Sequence, residues 1–228
     1  MHTDPAARQF GTGPLARAAA LLYTLLIIEF LLLLTTAPGL AAALLLDRDS
    51  SNLPLAALCA VPAGPALSAA LYALHHRRLD LADLHPAAAF WQGYIRNARA
   101  ALLVFVPWLA LLVLVAMPLT HRDAAGIPGW WLVLLVVIAL AATLWLANAL
   151  VITSLFAFRA IDVARLAAYF LVRTPQATLG SAGLLILAAG LTLVATEVAL
   201  LLLTSVFGLA VLVNCRAMIG QVQRDFTR

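Results

Sequence analysis

Residues 130–151 read WWLVLLVVIALAATLWLANALV. No charged residue, proline or glycine interrupts them. At about 1.5 Å per residue, a helix of this stretch covers the roughly 30 Å of hydrocarbon in a bilayer. The paired Trp130 and Trp131 sit where an aromatic belt marks a membrane–water interface. The rest of the 228-residue chain has the same character: 64% of it is apolar, 11% is charged, and the mean hydropathy is +1.03. A soluble domain is about 45–50% apolar and about 25% charged. So little polar surface cannot cover a water-soluble body of this size. Composition also excludes collagen, a disordered tail and a disulfide mini-protein. An all-α polytopic membrane protein is expected, with the chain as one integral membrane domain.

Outward from this stretch, the other apolar runs predict spans at 18–37, 53–73 and 100–117. Pro38-Gly39 is expected to stop the first, with a short apolar run to Leu46 at the interface. Pro62 and Pro65 are expected to bend the second. The last apolar stretch, 179–218, would reach about 60 Å as one straight helix, twice the membrane. It therefore reads as two spans, 179–197 and 200–218, joined by a tight turn near Glu197. Glu29 and the length of the first run argue for an uncleaved span rather than a signal peptide.

All 14 basic residues are arginine, and the formal net charge is +4. They are dispersed between apolar runs, which fits topology signals and not a nucleic-acid surface. With the N-terminus inside, only Arg48 and Arg122 fall in outer loops; the other arginines are inside. The expected topology is six spans with both termini inside, in a bacterial inner membrane. The lipid bilayer is the first expected partner, and a homo-oligomer is open.

Motifs for chemistry are missing. Without lysine there is no phosphate-binding Walker loop, and no HExxH, GxSxG or EF-hand pattern occurs. His75 and His76 diverge by about 100° on a helix and do not chelate. Cys59 and Cys215, both in apolar runs, read as free packing thiols. No catalytic residue, cofactor or metal is expected, and the chain is not expected to be an enzyme.

Two inner segments are amphipathic. In 86–99, Phe90, Trp91, Tyr94 and Ile95 share a broad helical face. It reads as an interfacial helix that anchors the third span or docks another protein. In 158–174, Arg159, Asp162, Arg165 and Arg173 decorate a helix whose apolar face is Ile161, Leu166, Tyr169 and Phe170. Ala56, Ala60, Gly64 and Ser68, four apart, predict one small-residue packing face on the second span.

Glu29 lies near the middle of the first span. A charged acid there costs about 2.5–3.5 kcal/mol on insertion scales. It is expected to face the bundle and to find a donor among Asn148, Asn214, Thr24 and Thr143. Two readings stay open for it: a packing hydrogen bond, or a proton or cation site. Asn148 and Asn214 read as interhelical glue, and Glu197 as a hydrated group near the outer mouth.

Several stretches together resemble the YesL-like family of small bacterial membrane proteins. They are Gly13-Pro14-Leu15, Glu29 ahead of Thr35-Thr36-Ala37-Pro38, and Gly64-Pro65-Ala66-Leu67-Ser68-Ala69-Ala70-Leu71-Tyr72. Phe90-Trp91-x-Gly93-Tyr94-x-x-Asn97 is the most specific, and Phe158-Arg159 with its following helix is the last. The resemblance spans nearly the whole chain; family members more often carry Asn at the position of Glu29. It implies a non-catalytic accessory or assembly role in carbohydrate uptake, beside the permease subunits of an ABC transporter. The alternative expectation is a small secondary transporter or channel that uses Glu29.

Overall fold

The computed structural model describes residues 13–47, 49–77, 84–121, 128–194 and 197–226. Among them every regular element is a helix. In chain order they are α1 (Pro14–Leu44), a 3-10 turn (Ser50–Asn52), α2 (Leu53–Ala60), α3 (Ala63–His75), α4 (Pro86–Thr120) and α5 (Gly129–Leu155). Then come α6 (Ala160–Arg173), α7 (Pro175–Val194), α8 (Glu197–Leu201), α9 (Thr204–Asn214) and α10 (Arg216–Phe226). Five stretches are long and apolar enough to cross a membrane: α1, Ser50–His75, α4, α5 and α7. The pair α9 and α10, bent by 54° at Cys215, brings the number to six only where the two together count as one span. This is a multi-pass membrane protein.

The core lies where α1, α3, α4 and α5 meet, around Ile28, Leu74, Phe90, Val151 and Ile152, all fully enclosed. Gly93 of α4 faces Tyr72 of α3 so closely that a Cβ would lie 2.8 Å from the tyrosine Cβ. Gly64 of α3 meets Phe105 of α4 in the same way. These glycines let α3 and α4 approach closely, which is how helices attract one another in lipid, where water supplies no driving force.

Three expected boundaries are corrected. Pro38-Gly39 does not stop the first helix; α1 runs through to Leu44. A Cβ on Gly39 would collide with the Cys59 carbonyl, so this glycine serves a close crossing of α1 and α2. The second span, Ser50–His75, is one stretch whose hydrogen-bond ladder is interrupted at Val61-Pro62, between α2 and α3. Pro62 lacks an N–H and its ring conflicts with the carbonyl four residues back. Val61 donates to the Leu58 carbonyl at 3.2 Å, tightening the last turn of α2. Ala56 is exposed and Ala60 half-buried, whereas Gly64 and Ser68 are buried, so the four do not form one packing face.

The interfacial helix 86–99 and the span 100–117 are one 35-residue helix, α4. Nothing between Pro86 and Val106 breaks it, and Pro107 and Pro118 are carried inside it. At about 1.5 Å per residue it is some 50 Å long and outreaches the hydrocarbon. At the C-terminal end, the turn expected near Glu197 is the helical turn α8, and the expected span 200–218 is divided at Leu202-Leu203 and again at Cys215.

The connectivity sends every described arginine to one end of the bundle: Arg17, Arg77, Arg96, Arg99, Arg159, Arg165, Arg173, Arg216 and Arg224. Arg8, Arg48, Arg78, Arg122 and Arg228 lie outside the described residues. At the opposite end Ser50 and the His121 Nε2 are 3.0 Å apart, joining the start of the second span to the end of α4. There the Ser51 N–H, then the Ser50 hydroxyl, hold the Asp49 carboxyl below the usual carboxylate range.

Candidate functional site

Glu29 and the start of α9 form the most demanding polar contact in the bundle. Glu29 is 7% exposed. Its Oε2 accepts the backbone N–H of Ser205 at 2.6 Å. Leu203 is the N-cap of α9, so Ser205 is its second residue and its N–H has no partner inside the helix. In hydrocarbon an unsatisfied N–H costs several kcal/mol, and a helix N-terminus is a favourable place for a carboxylate. The acid and the interrupted helix meet each other's need. The donor is thus a main-chain group, not the Asn148, Asn214, Thr24 or Thr143 side chain expected. The hydroxyls of Thr24 and Thr143 bond back to Ala20 and Ala139 of their own helices. The Glu29 Oε1 is buried with no hydrogen-bond partner.

One turn further along α1, Leu32, Leu33 and Thr36 wall a cavity of about 360 Å³. α3, α5, α7, α8 and α9 complete it, with Thr204 beside the Glu29-capped helix start. The Thr36 and Thr143 hydroxyls donate to carbonyls of their own helices, and the Thr204 hydroxyl to carbonyls of the preceding turn, α8. The wall therefore presents hydrocarbon and offers a polar solute few donors.

The other flagged residues also serve helix packing. Asn97 Nδ2 donates to the Ser154 carbonyl at 3.1 Å, one of the last carbonyls of α5 and without an intrahelical partner. The Ser154 hydroxyl donates to the Leu150 carbonyl, so Ser68 donates to the Ser154 Oγ at 2.9 Å. Asn214 Nδ2 ties α9 to α7 through the Ala177 carbonyl at 2.6 Å and the Ser181 hydroxyl at 3.0 Å. Asn148 is buried opposite Cys215, whose Sγ is 4.0 Å from its Oδ1. Both cysteines are free. Glu197 begins α8, and its side chain lies outside the described residues.

The docking set divides. On the helix expected to anchor the third span or dock another protein, Phe90 faces inward and is buried with Gly93 and Asn97, so none of the three offers a docking surface. Trp91 and Ile95 face outward, with Tyr94 half-buried between them. On α6 the buried residues are Val163, Ala167 and Phe170, while Ile161, Tyr169 and Val172 are exposed. The expected apolar face is corrected accordingly: it packs with Phe170 and turns Ile161 and Tyr169 out. Trp145 of α5 holds α6 in place by donating its Nε1–H to the Ala164 carbonyl at 3.0 Å. Arg159, Asp162 and Arg165 stay exposed.

Sequence reasoning passed over Arg77 and Arg216 as topology signals. Arg77 follows the end of α3 and donates through Nη1 to the Leu74 carbonyl, while its Nε is buried without a partner. Burial, and then the charge of Arg216, lower its pKa from the ordinary guanidinium value. An unpaired cation beside another cation was the available signal, but it needed the tertiary approach of α3 and α10. No group of three or more His, Cys, Asp or Glu among the described residues is placed to hold a metal. Comparison with family models, with curated proteins and with solved structures found no match to this chain.

Proposed function

We propose that the protein is a non-catalytic accessory or assembly subunit of a carbohydrate uptake system in a bacterial inner membrane. Its partner is the permease part of an ABC transporter. The observation that carries this reading is α6. One face of that helix is locked to the bundle through Val163, Ala167, Phe170 and the Trp145 hydrogen bond. The other turns Ile161, Tyr169 and Val172 outward, with Arg165 and Arg173 exposed beside them. A rigid helix with an apolar stripe at the arginine-rich end suits docking to another membrane subunit. The resemblance of 90–97 and its neighbours to the YesL-like family supports the carbohydrate context. Affinity capture from native membranes in mild detergent is expected to recover permease subunits, and Val172→Glu to lose them. Recovery of no permease, with sugar uptake unchanged on deletion, would overturn the proposal.

A second reading, a small transporter or channel, is favoured by one observation: the Glu29 Oε1 is buried and unpartnered. A carboxylate with a free oxygen inside a membrane bundle is a candidate proton or cation site. Flux in proteoliposomes that is abolished by Glu29→Gln would support it. Absence of flux, or flux that ignores the substitution, would sink it.

A further inference from the structure

We infer that the cleft between the end of α3 and the start of α10 is an anion site that takes a phosphate group between Arg77 and Arg216. The cleft has a volume of about 380 Å³, within the range of small-ligand sites. Arg77 and Arg216 line it with His75 and with the apolar Leu212, Val213 and Ile219. The Arg77 guanidinium is fixed at one edge by the Leu74 carbonyl, which leaves its remaining donors to be satisfied elsewhere. Its Nε is buried and unbonded. The charge that acts on it is that of another arginine, and no carboxylate among the described residues offsets it.

Like charges held together at the edge of a low-dielectric bundle are unfavourable, and the penalty disappears when an anion lies between them. Elsewhere in the bundle, Asn97 and Asn214 spend their donors on carbonyls of neighbouring helices. Among the described residues this arginine pair spends only the Arg77 Nη1, on the Leu74 carbonyl, and faces no carboxylate. Guanidinium groups match phosphate oxygens in geometry as well as charge. A phosphate can arrive as a phospholipid headgroup or as a small soluble anion. The apolar wall beside the arginines offers an acyl chain a surface, and basic clefts between helices at this membrane face bind anionic headgroups. Gly220 also lines the cleft, and a Cβ placed there meets nothing within 4 Å. A side chain at 220 therefore starts in open space on the cleft wall, and a leucine there is the variant chosen to obstruct the site.

The test uses the whole protein with Arg216→Gln and Gly220→Leu. Arg216 is exposed, so its replacement leaves the core intact. Thermal unfolding is followed in phosphatidylcholine nanodiscs with increasing phosphatidylglycerol, and in phospholipid-free detergent with increasing inorganic phosphate. The wild type is expected to be stabilised in at least one series. Each variant is expected to need roughly ten- to a hundredfold more ligand for the same shift, the loss of one charge-assisted hydrogen-bonded contact. A response to phosphatidylglycerol alone assigns the site to lipid, and a response to phosphate assigns it to a soluble anion; either supports the site. No stabilisation in either series, or the same response in wild type and both variants, overturns it.

Discussion

Glu29 shows how a single residue is read correctly in one respect and incompletely in another. Its depth and its need for a donor follow from an acid placed among apolar residues. Its partner does not, because a helix interrupted at Leu202-Leu203 exposes a backbone N–H that no side-chain inventory contains. Glu29→Ala is expected to lower stability by about 1–3 kcal/mol, the cost of leaving a buried donor unsatisfied. Glu29→Gln keeps an acceptor oxygen and should recover most of that loss. Unfolding in detergent measures both. Equal losses would assign the stabilisation to charge, and no loss in either would remove the capping role. Asn97 follows the same logic at the other helix pole, where its amide meets a carbonyl at the end of α5.

Among the elements, proline and glycine carried different meanings in different places. Pro62 breaks a helix, whereas Pro38, Pro107 and Pro118 are carried inside long ones. The difference is whether neighbouring helices hold the flanking turns together, and that is invisible along the chain. Gly39 faces a backbone carbonyl that cannot move aside. Gly39→Ala is therefore expected to destabilise by about 1–3 kcal/mol through overpacking. Pro38→Ala, next to it and exposed, is expected to stabilise by about 1 kcal/mol or more, since it restores a hydrogen bond inside α1. The two neighbours should shift the unfolding midpoint in opposite directions. Shifts of the same sign would refute this account of the crossing.

Over the whole molecule, Arg216 at the start of α10 lies in one cleft with Arg77 after α3, so the chain's last helix begins at the same end of the bundle as the end of α3. The arginines collect there, and the positive-inside rule makes that end cytoplasmic. In a cysteine-free background, a membrane-impermeant maleimide is expected to label Ser51→Cys on intact cells and spare Arg224→Cys. Inside-out vesicles should reverse the pattern, and labelling of Arg224→Cys on intact cells would contradict the orientation.

The sequence alone determined that this chain is helical, membrane-embedded and crosses about six times. Apolar runs of bilayer length and a one-sided arginine distribution are local properties, readable residue by residue. Only the tertiary structure decided where helices break, which faces are buried, and that Glu29 meets Ser205 while Arg77 and Arg216 line one cleft. Those outcomes depend on which backbone and side-chain groups approach one another across the bundle. In hydrocarbon, hydrogen-bond satisfaction and close packing between helices choose that arrangement, and neither is a property of any one stretch of chain.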